Sequence, residues 1–137
     1  MATLGTGAFY TKSTSQKINT TSSCEAELVA LAQGLQQSLW ARTFLLAQGL
    51  KVPPVLVRQD NQSTIKLIER GRPAAEQTRH IQIGYFWLTD LLARDIITIE
   101  YCPTLDMLAD FFTKPLQGSL FQTMRDHILG TSTPTVA

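Results

Sequence analysis

Apolar residues recur along the chain at two different periods, and the switches between them predict the order of elements. Leu28, Leu31, Leu35, Leu39 and Leu46 fall at helical spacings, which predicts a long helix over about Ser23 to Gln48. Ser22, with Glu25 three residues on, fits a capping box at its start, and Gly49 supplies the stop. Lys51-Val52-Pro53-Pro54 is a rigid link, after which Val55-Leu56-Val57 reads as a short buried strand ending at Asp60. A second helix, capped by Asn61 or Ser63, carries Ile65, Leu67 and Ile68 until Gly71-Arg72-Pro73 ends it. A third, from about Arg79 to Ala93, carries Ile83, Phe86, Trp87, Leu91 and Leu92. The β-branched, partly alternating run from Ile96 to Cys102 predicts a strand. Pro103-Thr104 breaks it and caps a helix through about Phe112, stopped by Pro115, and Leu120 to Leu129 is a last amphipathic stretch. Ahead of the long helix, Thr3-Leu4, Ala8-Phe9-Tyr10-Thr11 and Lys17-Ile18 surround Gly5 and Gly7, the pattern of a hairpin with a glycine-rich turn. The sequence therefore predicts an α/β fold, a sheet with helices packed on its faces, over residues 1–130, with a disordered tail over 131–137.

Composition narrows this picture without adding to it. With 137 residues, 44% of them hydrophobic, and a net charge of +1, the chain is expected to fold as one domain and is unlike a disordered one. Charge alone does not announce a nucleic-acid partner. No apolar run approaches the roughly 20 residues that span a bilayer, and the N-terminus lacks the pattern of a signal peptide. Cys24 and Cys102 stand far apart without metal-ligand spacing, so both read as small hydrophobes in a reducing compartment.

Candidate chemistry lies in three carboxylates, each in its own short motif: Glu27 in Ser22-Ser23-Cys24-Glu25-Ala26-Glu27-Leu28, Asp60 in Gln59-Asp60-Asn61-Gln62-Ser63, and Asp110 in Ala109-Asp110-Phe111-Phe112-Thr113-Lys114-Pro115-Leu116. Acidic residues converging from separate elements suit Mg²⁺, which takes oxygen ligands and binds through few carboxylates plus substrate phosphates. Helix phase separates Glu25 from Glu27, because two residues turn the helix by about 200°. Glu27, one turn before Leu31, is assigned to the leucine stripe, and Glu25 to capping near the positive helix end. Asp60 ends a strand and opens a helix, where open α/β sheets place ligands, although helix capping explains it equally. Asp110 is expected mid-helix among Leu108, Ala109, Phe111 and Phe112, with Asp106 one turn earlier in a dipole-stabilising position.

Weaker polar candidates surround these acids. His80, beside Arg79, could act as a base or phosphate contact, although most histidines so placed are structural. Lys114 could meet a phosphate, with solvation as the alternative. The hydroxyls of Thr20 to Ser23 suit a nucleic-acid backbone, and capping accounts for part of that run. Lys66, Arg70, Arg72 and Arg79 form a locally basic span diluted by Glu69 and Glu76.

In their order and separations, Lys12-Ser13-Thr14-Ser15-Gln16-Lys17, the Ser22–Leu28 motif, Asp60-Asn61-Gln62-Ser63, Arg79-His80-Ile81 and Pro103–Asp110 with Thr113-Lys114-Pro115-Leu116 resemble the ribonuclease H region of copia-type retrotransposon polyproteins. Cys24 stands where that family commonly has Thr, and Gln82 where many relatives carry an acid. The resemblance implies a ribonuclease H-like fold, a mixed sheet flanked by helices, that cleaves the RNA strand of an RNA/DNA hybrid with two Mg²⁺ (or Mn²⁺) ions. It implies Glu27, Asp60 and Asp110 as metal-holding catalytic acids, and Ser22, Ser23, Asn61, Gln62, Arg79, His80 and Lys114 as contacts to nucleic acid. It further implies a reverse transcriptase domain of the same polyprotein as partner and an intracellular location, in a cytoplasmic particle or the nucleus. Residues 1–24 contain no Asp or Glu, so the first acid of such sites and its opening strand are expected to be absent and the isolated chain inactive or nearly so. The competing expectation is a non-catalytic remnant that binds nucleic acid or serves a structural role.

Overall fold

The computed structural model describes residues 1–14, 23–70 and 79–131, with the side chains of 79–81 outside that description. The chain divides into two compact units, one of Met1–Ser15 with Thr104–Ala137 and one of Gln16–Pro103. Among the described residues it is a mixed α/β structure with two small sheets and helices.

The larger unit is built on the long helix α1, Ser23–Ala47. Strand β3, Val55–Gln59, follows it, then α2, Gln62–Arg70, and α3, Arg79–Ala93, and finally strand β4, Ile97–Tyr101. β3 and β4 pair in parallel, Val55 beside Ile97 through Gln59 beside Tyr101, as their helical connection requires. The ladder runs past both ends, through Val55 N–H to Ile96 O at 2.9 Å and Cys102 N–H to Gln59 O at 3.0 Å. One core holds the unit together: Leu28, Val29 and Leu35 of α1, Val57 of β3, Ile68 of α2, Tyr85, Leu88 and Leu91 of α3, and Ile97 of β4. Tyr85 has no exposed surface, and its hydroxyl donates to Leu67 O at 3.1 Å, which gives a buried phenol its partner.

These elements match the sequence expectations in type and nearly in extent, yet two helix faces differ. On α3 the buried residues are Tyr85, Leu88 and Leu91, whereas Ile83 and Phe86 are more than half exposed. On α1 the buried stripe runs through Glu25, Leu28, Val29 and Leu35, and Leu31 is only partly buried against it. Val29, which a leucine-only pattern skips, turns the face toward Glu25 and away from Glu27.

In the smaller unit, β1, Ala2–Thr3, and β2, Ala8–Tyr10, form the expected antiparallel hairpin, whereas Lys17-Ile18 lies outside the described residues. The helix expected over 104–112 is instead two 3-10 turns, Thr104–Asp106 and Leu108–Phe112, divided at Met107 by an extended backbone with ψ 93°. Helix α4, Gly118–Leu129, then packs onto the second turn through Phe111 and Phe121, whose rings stack at 5.1 Å. Gly130 closes α4 with φ 69°, and a Cβ there would lie 3.3 Å from Gly7 N, so the hairpin turn and the helix end approach as closely as two glycines allow. The tail expected over 131–137 lies outside the described residues beyond Thr131.

Candidate functional site

In the larger unit, Glu27 and Asp60 sit on neighbouring elements, α1 and the bend between β3 and α2. Glu27 lies in the second turn of α1 and is half-buried, and Asp60 occupies the bend between β3 and α2, also half-buried. Asn61 caps α2: its Oδ1 accepts from the N–H groups of Ser63 at 3.0 Å and Thr64 at 3.3 Å. Gln59, buried at the strand end, accepts through Oε1 from Asn61 N–H at 3.0 Å and so fixes the bend that carries Asp60. Thr64 is fully buried, and its hydroxyl donates to Cys24 Sγ at 3.4 Å. That bond ties the first turn of α1, three residues before Glu27, to the first turn of α2, four residues after Asp60.

Asp110 is held differently. It lies in the second 3-10 turn of the smaller unit, where its carboxylate is 15% exposed and takes Lys114 Nζ at 2.6 Å. Backbone bonds frame this pair, with Lys114 N–H reaching Asp110 O at 2.8 Å. The helical face shared by Asp106 and Asp110 therefore does not form, and Lys114 is an ion-pair partner of Asp110. Among the described residues, no three or more His, Cys, Asp and Glu side chains gather in a way that could hold a metal ion.

The remaining expected contacts divide by place. Ser23, exposed, opens α1, while Ser22 lies outside the described residues; Gln62 opens α2 and is exposed. Arg79 and His80 open α3 with side chains outside the description. Glu25 is the residue whose face the sequence reading missed: helix phase set it opposite the leucine stripe, whereas it is 9% exposed and lies on the buried stripe. Its signal was the spacing Glu25, Leu28, Val29, which fits one face as well as the leucines do. Neither cysteine is in a disulfide; Cys102 is buried and Cys24 half-buried.

No protein-family model matches the chain, and no solved structure matches it significantly. The chain is similar to the retrovirus-related Pol polyprotein from transposon TNT 1-94 of Nicotiana tabacum, 27% identical over 124 residues, covering 90% of this chain and 9% of that polyprotein. It is likewise similar to the retrovirus-related Pol polyprotein from transposon RE1 of Arabidopsis thaliana, 29% identical over 116 residues, covering 82% of this chain and 8% of that one. The chain thus spans less than a tenth of the length of these curated relatives. These homologues are Pol polyproteins of plant transposons, and the similarity supports a retroelement-derived polyprotein region. Among the described residues, no helix is long and apolar enough to cross a membrane.

Proposed function

We propose that this chain is the ribonuclease H-like region of a copia-type Pol polyprotein, whose reaction is hydrolysis of the RNA strand of an RNA/DNA hybrid. The observation that carries the reading is the tie between the two acid-bearing segments: a half-buried Thr64–Cys24 hydrogen bond lies three residues before Glu27 and four after Asp60, and Asp60 follows the carboxyl end of a parallel strand, the place where open α/β sheets seat ligands. The donor pair of the larger unit suits a hard divalent cation, since Glu27 and Asp60 offer oxygen only. When bound, Mg²⁺ would supply charge stabilisation and an activated water at the scissile phosphodiester. The protein's own share is to hold Asp60 through the Gln59–Asn61 bend and to place Glu27 on a helix whose first turn is fixed through Cys24.

Mn²⁺ titration of the chain, followed by water-proton relaxation, tests the site. Binding is expected to weaken more than about tenfold in Glu27→Gln and in Asp60→Asn, because each removes a ligand and not merely its support. Unchanged affinity in both would remove the reading. Mg²⁺-dependent cleavage of a labelled hybrid by this chain, abolished by either substitution, would show activity beyond what the sequence predicts of it. A second reading, a non-catalytic nucleic-acid-binding remnant, draws support from the Asp110–Lys114 pair, which neutralises one of the three acids without a metal. Salt-dependent hybrid binding that survives neutralising all three acids would favour it.

A further inference from the structure

A recess of about 220 Å³ opens between the first turn of α1 and the outer face of α2, lined by Cys24, Ser63, Lys66, Leu67 and Arg70. Its α2 residues recur at the helical spacing of one face, so Lys66 and Arg70, four residues apart, project side by side with Ser63 one turn ahead. Both cations are exposed. Neither joins any of the ion pairs found among the described residues. Glu69, the nearest acid in sequence, stands about 100° round the helix from Arg70 and about 60° from Lys66, and it pairs with neither in the ion pairs found among the described residues. Leu67 supplies an apolar floor, and the Thr64–Cys24 bond holds the opposite wall in place. Two cations at fixed spacing over a small hydroxyl- and thiol-edged hollow suit a singly charged phosphodiester, contacted through its backbone without reading bases.

We propose that this recess seats backbone phosphates of a nucleic-acid duplex, with Lys66 and Arg70 as the neutralising side chains. The proposal rests on the preceding reading only for the identity of the duplex, an RNA/DNA hybrid. The recess is edged by Cys24, three residues before Glu27, and by Ser63, three residues after Asp60, so it adjoins the elements that carry both acids. Lys66 and Arg70 are positioning residues: they set affinity and its salt dependence and take no part in chemistry.

The test is fluorescence-anisotropy titration of a labelled RNA/DNA hybrid between about 50 and 200 mM salt. The double variant Lys66→Gln/Arg70→Gln is expected to bind more weakly on every hybrid sequence, with the slope of log affinity against log salt reduced by about 2, one for each phosphate no longer neutralised. The charge-conserving Lys66→Arg/Arg70→Lys is expected to keep the slope, which separates the removal of charge from a failure to fold. Lys51→Gln, removing an exposed cation outside the recess, is expected to leave it unchanged. An unchanged slope in the double variant, or an equal fall in Lys51→Gln and Lys66→Gln, overturns the proposal. Mn²⁺ titration of the same proteins reads the acids separately. A fallen slope in a chain that binds no Mn²⁺ keeps the recess and removes the metal reading, whereas intact Mn²⁺ binding with an unchanged slope does the reverse.

Discussion

At the residue scale, single side chains carry specific parts of the structure, and their removal has calculable signs. Tyr85 buries its ring completely and donates its hydroxyl proton to Leu67 O. Tyr85→Phe keeps the packing, strands that carbonyl, and is expected to cost about 1 kcal/mol. Urea denaturation checks it: the midpoint should fall with the slope unchanged. Among the described residues, Asp95, with φ 52°, is the non-glycine residue found in the left-handed region, where it turns the chain from α3 into β4. A short polar side chain tolerates that conformation and a β-branched one does not. Asp95→Ile is therefore expected to be less stable than Asp95→Gly by about 1 kcal/mol or more, read from the same denaturation curves. Glu25 shows where residue-level reading from sequence failed: phase arithmetic was sound, but it was anchored on leucines alone, and Val29 moved the face. The capping pattern and the buried stripe coincide at Glu25, and no sequence rule separates them.

At the element scale, the strand–helix–helix–strand order was legible because each element carried its own punctuation, from Pro53-Pro54 before β3 to Asn61 capping α2. The parallel pairing of β3 with β4 follows from that order, since a connection containing two helices cannot make a tight hairpin. Ile97 lies beside Val55 at the start of this ladder and has no exposed surface. Ile97→Ala leaves a cavity bounded by the helices and is expected to cost about 2–5 kcal/mol, measured by thermal or chemical unfolding. The segment 104–112 was not legible for the opposite reason. Its apolar residues fit a helix period, but a stretch this short cannot offset its nucleation cost without a packed face, and Leu105 is 75% exposed. It settles into 3-10 turns whose bonds, Met107 N–H to Thr104 O and Asp110 N–H to Met107 O, span three residues each. Asp110 consequently meets Lys114, four residues on, instead of standing on a helical face with Asp106.

At the scale of the whole molecule, the three acids are distributed unequally: Glu27 and Asp60 belong to one compact unit and Asp110 to the other. The sequence made the motifs visible because each is local, and it could not show this division, which arises from contacts distant along the chain. Thermodynamic linkage tests whether the acids act together. A divalent cation that binds only the folded chain stabilises it by about 2.7 kcal/mol at one hundred times its dissociation constant. Mn²⁺ is therefore expected to raise the melting temperature of the wild-type chain, and Glu27→Gln and Asp60→Asn to shrink that rise. Glu25→Gln separates the two helix glutamates, because the proposed site requires the rise to survive it after allowance for any change in the metal-free melting temperature. Asp110 has a sharper signature. If it joins the metal, the bound state must break its 2.6 Å contact with Lys114 Nζ, so the ammonium competes with the cation. Lys114→Met removes the competitor and is then expected to enlarge the Mn²⁺-induced rise, while Asp110→Asn diminishes it. A rise unchanged by both substitutions would confine the metal to Glu27 and Asp60 and leave the Asp110–Lys114 pair as a structural clasp of the smaller unit.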